Sequence, residues 1–219
     1  MIEAIIFDFD GVLVESVDIK TKAFQRLFES EGEEVVAKVA EYHLMHGGVS
    51  RFDKFRHFYS EFLRRPLTDE IFQELCSSFS NLVKEEVVKA PYVKGAKEFL
   101  ESNALTYSCF VCTATPHDEI EEILRSRRMN DYFKGVYGAP RSKIDIVSSI
   151  LSLSDIVAEK TVYVGDAWTD YAAAQANRVK FVARINHNEE IFKDVTCPKI
   201  NDLTELSDVI LLWKNPLKK

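Results

Sequence analysis

The stretch Ala4-Ile5-Ile6-Phe7-Asp8-Phe9-Asp10-Gly11 decides the fold class: an apolar run turns acidic and then meets glycine. An unbroken run of this kind suits a strand buried on both faces of a parallel sheet, whereas a half-exposed strand would alternate. Similar runs recur at 105–113, 134–137, 161–165 and 179–183. Between them, Ile120, Ile123 and Leu124, then Ile144, Val147, Ile150 and Leu151, return at three- and four-residue steps, as amphipathic helices require. Strands alternating with helices imply right-handed βαβ units and an α/β fold built on a doubly wound parallel sheet.

One interval breaks the alternation. From 16 to 89 there is no strand pattern and almost no proline. Helical stripes run through Ala23, Phe24, Leu27 and Phe28, then Phe52, Phe55, Tyr59 and Phe62, then Ile71, Leu75, Phe79, Leu82 and Val83. Gly32, Gly47-Gly48 and Arg65-Pro66-Leu67-Thr68 punctuate them, with Thr68 placed to start a helix. The expected organisation is a core of 1–14 and 92–219 interrupted by a four-helix insertion at 15–91, with Ala90-Pro91-Tyr92 as the return linker. The lysine-rich tail from Lys214 is expected to fray.

With 219 residues and 46% hydrophobic content, the chain can fill a sizeable core. Its 28 Lys+Arg against 35 Asp+Glu give a net charge of -7, which argues against nucleic-acid or anionic-membrane partners. No apolar run approaches the length of a spanning helix and no signal-like segment follows Met1, so a soluble, cytoplasmic protein is expected. Cys76, Cys109, Cys112 and Cys197 fit reduced thiols. Cys109-Phe110-Val111-Cys112 has redox spacing but falls along an apolar strand, where both sulfurs would be structural.

Ligands of open α/β sheets sit beyond the carboxyl ends of the strands, so the polar residues there carry the chemistry. The first strand ends in Asp8 and Asp10, the second in Thr113, and the fourth in Gly165-Asp166 with Asp170 four residues on; Lys143 opens the helix after the third. Gathering Asp8, Asp10, Asp166 and Asp170 without a cation would be costly. Oxygen-only ligands with room for water favour Mg2+ over zinc or a closed calcium cage, and an EF-hand would need its glycine at the sixth loop position. A hydroxyl at Thr113 and an ammonium at Lys143 suit a phosphoryl group.

Asp8-Phe9-Asp10-Gly11-Val12-Leu13, Val111-Cys112-Thr113-Ala114-Thr115-Pro116, Ser142-Lys143 and Gly165-Asp166-Ala167-Trp168-Thr169-Asp170 resemble, in order, the four motifs of the haloacid dehalogenase superfamily. The insertion resembles the helical cap of the branch containing phosphoglycolate phosphatase and β-phosphoglucomutase. The resemblance implies a Rossmann-like core under a cap and a Mg2+-dependent phosphatase acting on a small phosphorylated metabolite, a sugar phosphate or a phosphoglycolate-like acid. It further implies Asp8 as nucleophile and Asp10 as acid/base. Thr113, the Ala114 backbone and Lys143 would bind phosphoryl oxygens, and Asp8, the Asp10 carbonyl and Asp166 would hold Mg2+ with Asp170 close by. Ala114 departs from the Asn or Gly more usual there. Asp10 disfavours the metal-free dehalogenase branch, which does not usually carry that acid.

The glycine-containing bend His46-Gly47-Gly48-Val49-Ser50-Arg51 suits a lid that must move and reach the leaving group. Arg51, with His46 and Lys54 as weaker candidates, is expected to contact the non-reacting part of an anionic or hydroxylated substrate; the bland reading leaves Arg51 and Lys54 on a solvated helix face. His43, His57, His117 and His187 receive no role. The rival enzyme is a phosphomutase. A signalling receiver domain also gathers acids, Thr and Lys around Mg2+, but its phosphoacceptor ends the third strand, and here that strand runs into Gly138. A catalytically silent binding protein is a third reading, disfavoured by the complete motif set. The chain is expected to be a monomer or a homodimer.

Overall fold

A computed structural model describes residues 1–186 and 189–213; His187 and the tail from Lys214 lie outside the described residues. Six parallel strands form one sheet in the order β3-β2-β1-β4-β5-β6: β1 (Ala4–Phe7), β2 (Ser108–Pro116), β3 (Gly135–Ala139), β4 (Thr161–Gly165), β5 (Lys180–Arg184) and β6 (Lys199–Ile200). The chain lays β2 and β3 on one side of β1 and then returns to lay β4 on the other, which puts the switch point beside β1. Phe7 is in register with Val111 on one side and Val164 on the other, so Asp8, Thr113 and Asp166 all emerge at the same carboxyl edge.

β1 is buried on both faces, as its unbroken apolar run requires. Ile5 and Phe7 join the cluster that continues into the inserted helices, while Ala4 and Ile6 face the layer of α7 (Lys143–Leu153) and α8 (Trp168–Ala176). Cys109 and Cys112 fall on opposite faces of β2, and burial pushes each thiol up to about 12, which leaves them inert. β2 begins three residues later than the apolar run suggests. The turn that ends α5 (Ala96–Asn103) leaves Leu105 fully exposed, and the strand continues to Pro116. β3 likewise runs past Gly138 to Ala139, and the two-residue β6 has too short a pattern to be read from sequence.

Between β1 and α5 lie four helices: α1 (Val17–Leu27), α2 (Glu33–Met45), α3 (Arg51–His57) and α4 (Asp69–Lys89). Thr68 caps α4 by accepting from the Ile71 N–H, and Ser50 caps α3 through Asp53. α3 runs on into a π-helical turn, Phe58–Leu63, whose wider repeat shifts the stripe so that Phe58 is fully buried where Tyr59 was expected. The centre of the cap is a phenylalanine cluster. Phe24 sits 4.4 Å from Phe79 and 5.7 Å from both Phe55 and Phe58, in tilted and edge-on pairs.

Entry to and exit from the cap lie side by side. The Glu15 N–H donates to the Pro91 carbonyl and the Val93 N–H to the Leu13 carbonyl, and Val14 bridges Tyr92. α6 (His117–Ser126) of the core lies along α4, and Arg127 at its end donates to the carbonyls of Val87, Val88 and Ala90, closing the C-terminal turn of α4. Truncating Phe24→Ala opens a void in the cap's centre and is expected to lower stability by about 3–5 kcal/mol. Urea unfolding with an unchanged m-value checks this, and a loss under about 1 kcal/mol would show that the cluster is not closely packed.

Candidate active site

Asp8 stands one residue past β1, its N–H donating to the Val164 carbonyl at 3.0 Å. Its Oδ1 accepts from the Phe9 N–H at 2.6 Å and its Oδ2 from Lys143 Nζ at 2.7 Å. Lys143 reaches this position because Ser142 caps α7, accepting from the Asp145 N–H, and so fixes the helix start at the sheet edge. The same ammonium donates to Asp170 Oδ1 at 2.6 Å. Tyr163 OH lies 2.8 Å from that oxygen, and Asp170 Oδ2 accepts from the Ala167 N–H at 3.0 Å. Asp170, fully buried, thus holds both the lysine and the loop that carries Asp166.

One carboxylate oxygen from each of Asp8, Asp166 and Asp170 lies within 4.8 Å of the other two. Burial, with the neighbouring carboxylates, raises Asp8 to about 6 even though Lys143 opposes the shift. Burial and then the charges of Asp8 and Asp170 push Asp166 well above the usual carboxylate range. Burial alone would depress Lys143, but Asp170 and Asp8 outweigh it and keep the ammonium charged. Three carboxylates against one ammonium leave a surplus of negative charge that a divalent cation would balance, and an all-oxygen donor set fits Mg2+. Gly11, at φ +72°, makes the close approach possible, since a Cβ there would stand 2.1 Å from Asp166 Oδ2.

Asp10 is not one of these three and is held by a different set of contacts. Its Oδ1 accepts from Ser16 Oγ at 2.6 Å; its Oδ2 accepts from Lys20 Nζ at 2.5 Å and Thr115 Oγ1 at 2.8 Å, with Thr113 Oγ1 at 3.5 Å. Burial would raise this carboxyl, but the Lys20 charge and the hydrogen bonds from Lys20, Ser16 and Thr115 hold it at about 2. Ser16, Lys20 and Thr115 were not singled out from the sequence. A signal existed: Ser16 and Lys20 are four apart at the start of α1, and Thr115 follows Thr113 on the same face of β2.

The residues assigned to the cap divide. Arg51 is buried and pairs with Glu119 of α6 through both guanidinium NH2 groups, one at 2.9 Å, while Ser80 bridges the pair at 2.7 and 2.5 Å. Phe79 lies under the guanidinium, 4.5 Å away. Neither Arg51 nor Lys54 lies on a solvated face. His46 is exposed and stacks on Tyr42, with Nδ1 at 3.0 Å from the Tyr42 carbonyl, so the geometry does not bring it to the site. His43, expected to be bland, is buried with Nδ1 2.7 Å from Lys54 Nζ. Gly47 and Gly48 lie against the α8 start, where a Cβ on Gly48 would stand 1.8 Å from Thr169 Oγ1.

A cavity of about 40 Å³ lies between cap and core, lined by Asp8, Asp10, Lys20, Lys54, Thr113 and Asp166 among others. A wider opening of about 260 Å³ reaches Thr113, Ala114 and Lys143 from the side of Gly48 and Arg141. The haloacid dehalogenase-like hydrolase family profile matches residues 5–184, which include every one of these groups. The chain belongs to that family. A phosphorylated carbohydrates phosphatase of Thermotoga maritima is 26% identical over 202 residues, covering 85% of this chain and 86% of the relative. A phosphoglycolate phosphatase of Pseudomonas fluorescens is 24% identical over 222 residues, covering 92% and 77%. Among solved structures, a β-phosphoglucomutase of Clostridium difficile superposes with a TM-score of 0.78 at 16% identity over 98% of this chain and 99% of that one, which shows the shared fold.

In this hydrolase the backbone of Gly48 packs directly over Thr169, so a side chain at 48 would push the loop off the start of α8. Gly48→Ala is therefore expected to lower kcat/KM for the best substrate by about a hundredfold, since small misplacements cost that much, and Thr169→Ala in the same chain to restore part of it. Steady-state kinetics of the single and double variants check this, and a Gly48→Ala enzyme with wild-type kcat/KM would show that the packing of this loop on α8 does not matter to turnover.

Proposed function

We propose that the chain is a Mg2+-dependent phosphatase that hydrolyses a small phosphorylated metabolite through an aspartyl-phosphate on Asp8. In this reading the cap (15–91) closes over the core (1–14 and 92–219). The observation that carries it is Asp8 itself: a buried carboxylate tied to one ammonium and facing a cavity that also holds Asp10 and Thr113. The two phosphatase relatives support a phosphomonoester as substrate.

The Asp8 carboxylate attacks phosphorus, and the P–O bond to the leaving alcohol breaks as the new one forms. Thr113, the Ala114 N–H and Lys143 hold the phosphoryl oxygens, and Lys143 also keeps Asp8 ionised against its burial. Mg2+ held by Asp8, Asp166 and the Asp10 carbonyl, near Asp170, would offset charge gathering on the phosphoryl oxygens. Asp10 supplies the proton to the leaving oxygen. The arriving phosphate dianion opposes the Lys20 charge that otherwise keeps Asp10 ionised, and so draws a proton onto it. Asp10, ionised again, then takes a proton from the water that releases phosphate from Asp8.

The test is phosphate release from a panel of sugar phosphates, phosphorylated acids and acetyl phosphate, with Mg2+ and with EDTA. Release is expected only with the metal, and Asp8→Asn is expected to lower it by at least about a thousandfold. An Asp8→Asn enzyme keeping more than about a tenth of the rate would contradict a covalent mechanism. Slow release combined with phosphoryl transfer to added sugar phosphate would mark a mutase instead.

A further inference from the structure

Ala183 is in register with Gly165, so Arg184, the last residue of β5, stands beside Asp166 at the sheet edge. Val182 packs on the face that continues into the inserted helices, and the alternation of a strand turns Arg184 to that same face. There the guanidinium is buried and all three of its nitrogens donate. Nε bonds the Asn201 carbonyl, just past β6, at 3.1 Å; Nη1 bonds the Gly11 carbonyl at 3.1 Å; Nη2 bonds Glu15 Oε1 at 2.7 Å, with Glu15 Oε2 at 3.4 Å from Nη1. The Glu15 N–H in turn donates to the Pro91 carbonyl at 3.0 Å, so the counter-ion of Arg184 is fixed by both linkers of the cap.

Gly11 is the residue through which this contact reaches the acids. It lies in the turn that leads from Asp8 to the cap, where its N–H donates to the Val14 carbonyl at 2.8 Å and the N–H groups of Leu13 and Val14 donate to the Phe9 carbonyl at 2.9 and 3.2 Å. The Gly11 carbonyl takes its partner from outside the turn, from Arg184. The same residue packs on Asp166, since a Cβ there would stand 2.1 Å from Oδ2, and it directly follows Asp10, whose carbonyl is assigned to the metal. A turn built on a glycine at φ +72° is conformationally free on its own, so an external donor has to set its place. Hydrogen bonds behind metal ligands do this work elsewhere, and losing one costs about 10- to 100-fold in metal affinity.

We propose that Arg184 is a positioning residue for the divalent cation: it sets the turn that carries Asp8 and the Asp10 carbonyl at a fixed place against Asp166, so that their oxygens meet one ion. The assignment rests on the metal-dependent reading above. The fork and not the charge alone does the positioning, because a guanidinium bonds Gly11 and Asn201 together where an ammonium is a point donor. Glu15 keeps the guanidinium from being an isolated buried charge, and its partly exposed carboxylate adds little beyond that.

The test reads metal binding directly. Mn2+, which suits the same oxygen donors, is titrated into metal-free enzyme while electron paramagnetic resonance follows the free ion, with Mg2+ as competitor. Arg184→Met is expected to weaken Mn2+ binding by about 10- to 100-fold and Glu15→Gln by less than about threefold. A merely structural role would lower Tm and leave the affinity of the folded protein unchanged. Should Arg184→Met not fold, Arg184→Lys, which keeps the charge and the stem, decides in its place, with an expected loss of at least about tenfold. A folded Arg184 variant that binds Mn2+ within about threefold of wild type, or a Glu15→Gln loss as large as that of Arg184→Met, would overturn the assignment, while Mg2+-dependent phosphate release by wild type leaves the phosphatase standing. A wild-type enzyme that binds neither ion would remove the metal-dependent reading and the assignment together.

Discussion

The Lys143 ammonium, set between Asp8 and Asp170, is the contact on which the site depends. Without it, Asp8, Asp166 and Asp170 would face one another in a buried pocket with their charges uncompensated, and protonation would disable the proposed nucleophile, Asp8. With it, one carboxylate is held for chemistry and another is committed to holding the lysine. The geometry follows from the strand order. β1 lies between β2 and β4, so the residues just past three adjacent strands converge, and capping by Ser142 aims Lys143 at them.

Asp10 is governed by a separate set of contacts. Ser16 just precedes the first helix of the cap, Lys20 lies in it, Thr115 comes from the core strand, and all three bear on one carboxylate. The proposed acid/base residue is therefore tied to both sides of the cleft. The cap meets the core at further points: the buried Arg51–Glu119 pair, the Lys84–Glu122 pair and the Gly48–Thr169 approach. The buried Arg51–Glu119 pair imposes one geometry more than it adds stability, whereas the exposed Lys84–Glu122 pair contributes little.

Much of this was legible in the sequence because the core groups sit at fixed short distances from strand ends, where apolar runs announce their position. Asp8, Thr113, Lys143 and Asp166 come together as their spacing implies. The cap was legible as helices but not as contacts. Arg51 pairs with Glu119, 68 residues away, and no local pattern reveals a partner at that separation. The same holds for His43 and Lys54, which meet only because α2 and α3 fold against each other. The π turn after His57 moved Phe58 inward by a backbone choice that periodicity does not encode.

The most direct measurement is rapid acid quench of the enzyme during turnover, followed by peptide mass spectrometry. The account predicts one phosphoryl group on the peptide carrying Asp8, appearing before free phosphate and absent from Asp8→Asn. Free phosphate appearing with no phosphorylated peptide, or a phosphoryl group on any other residue, would contradict it.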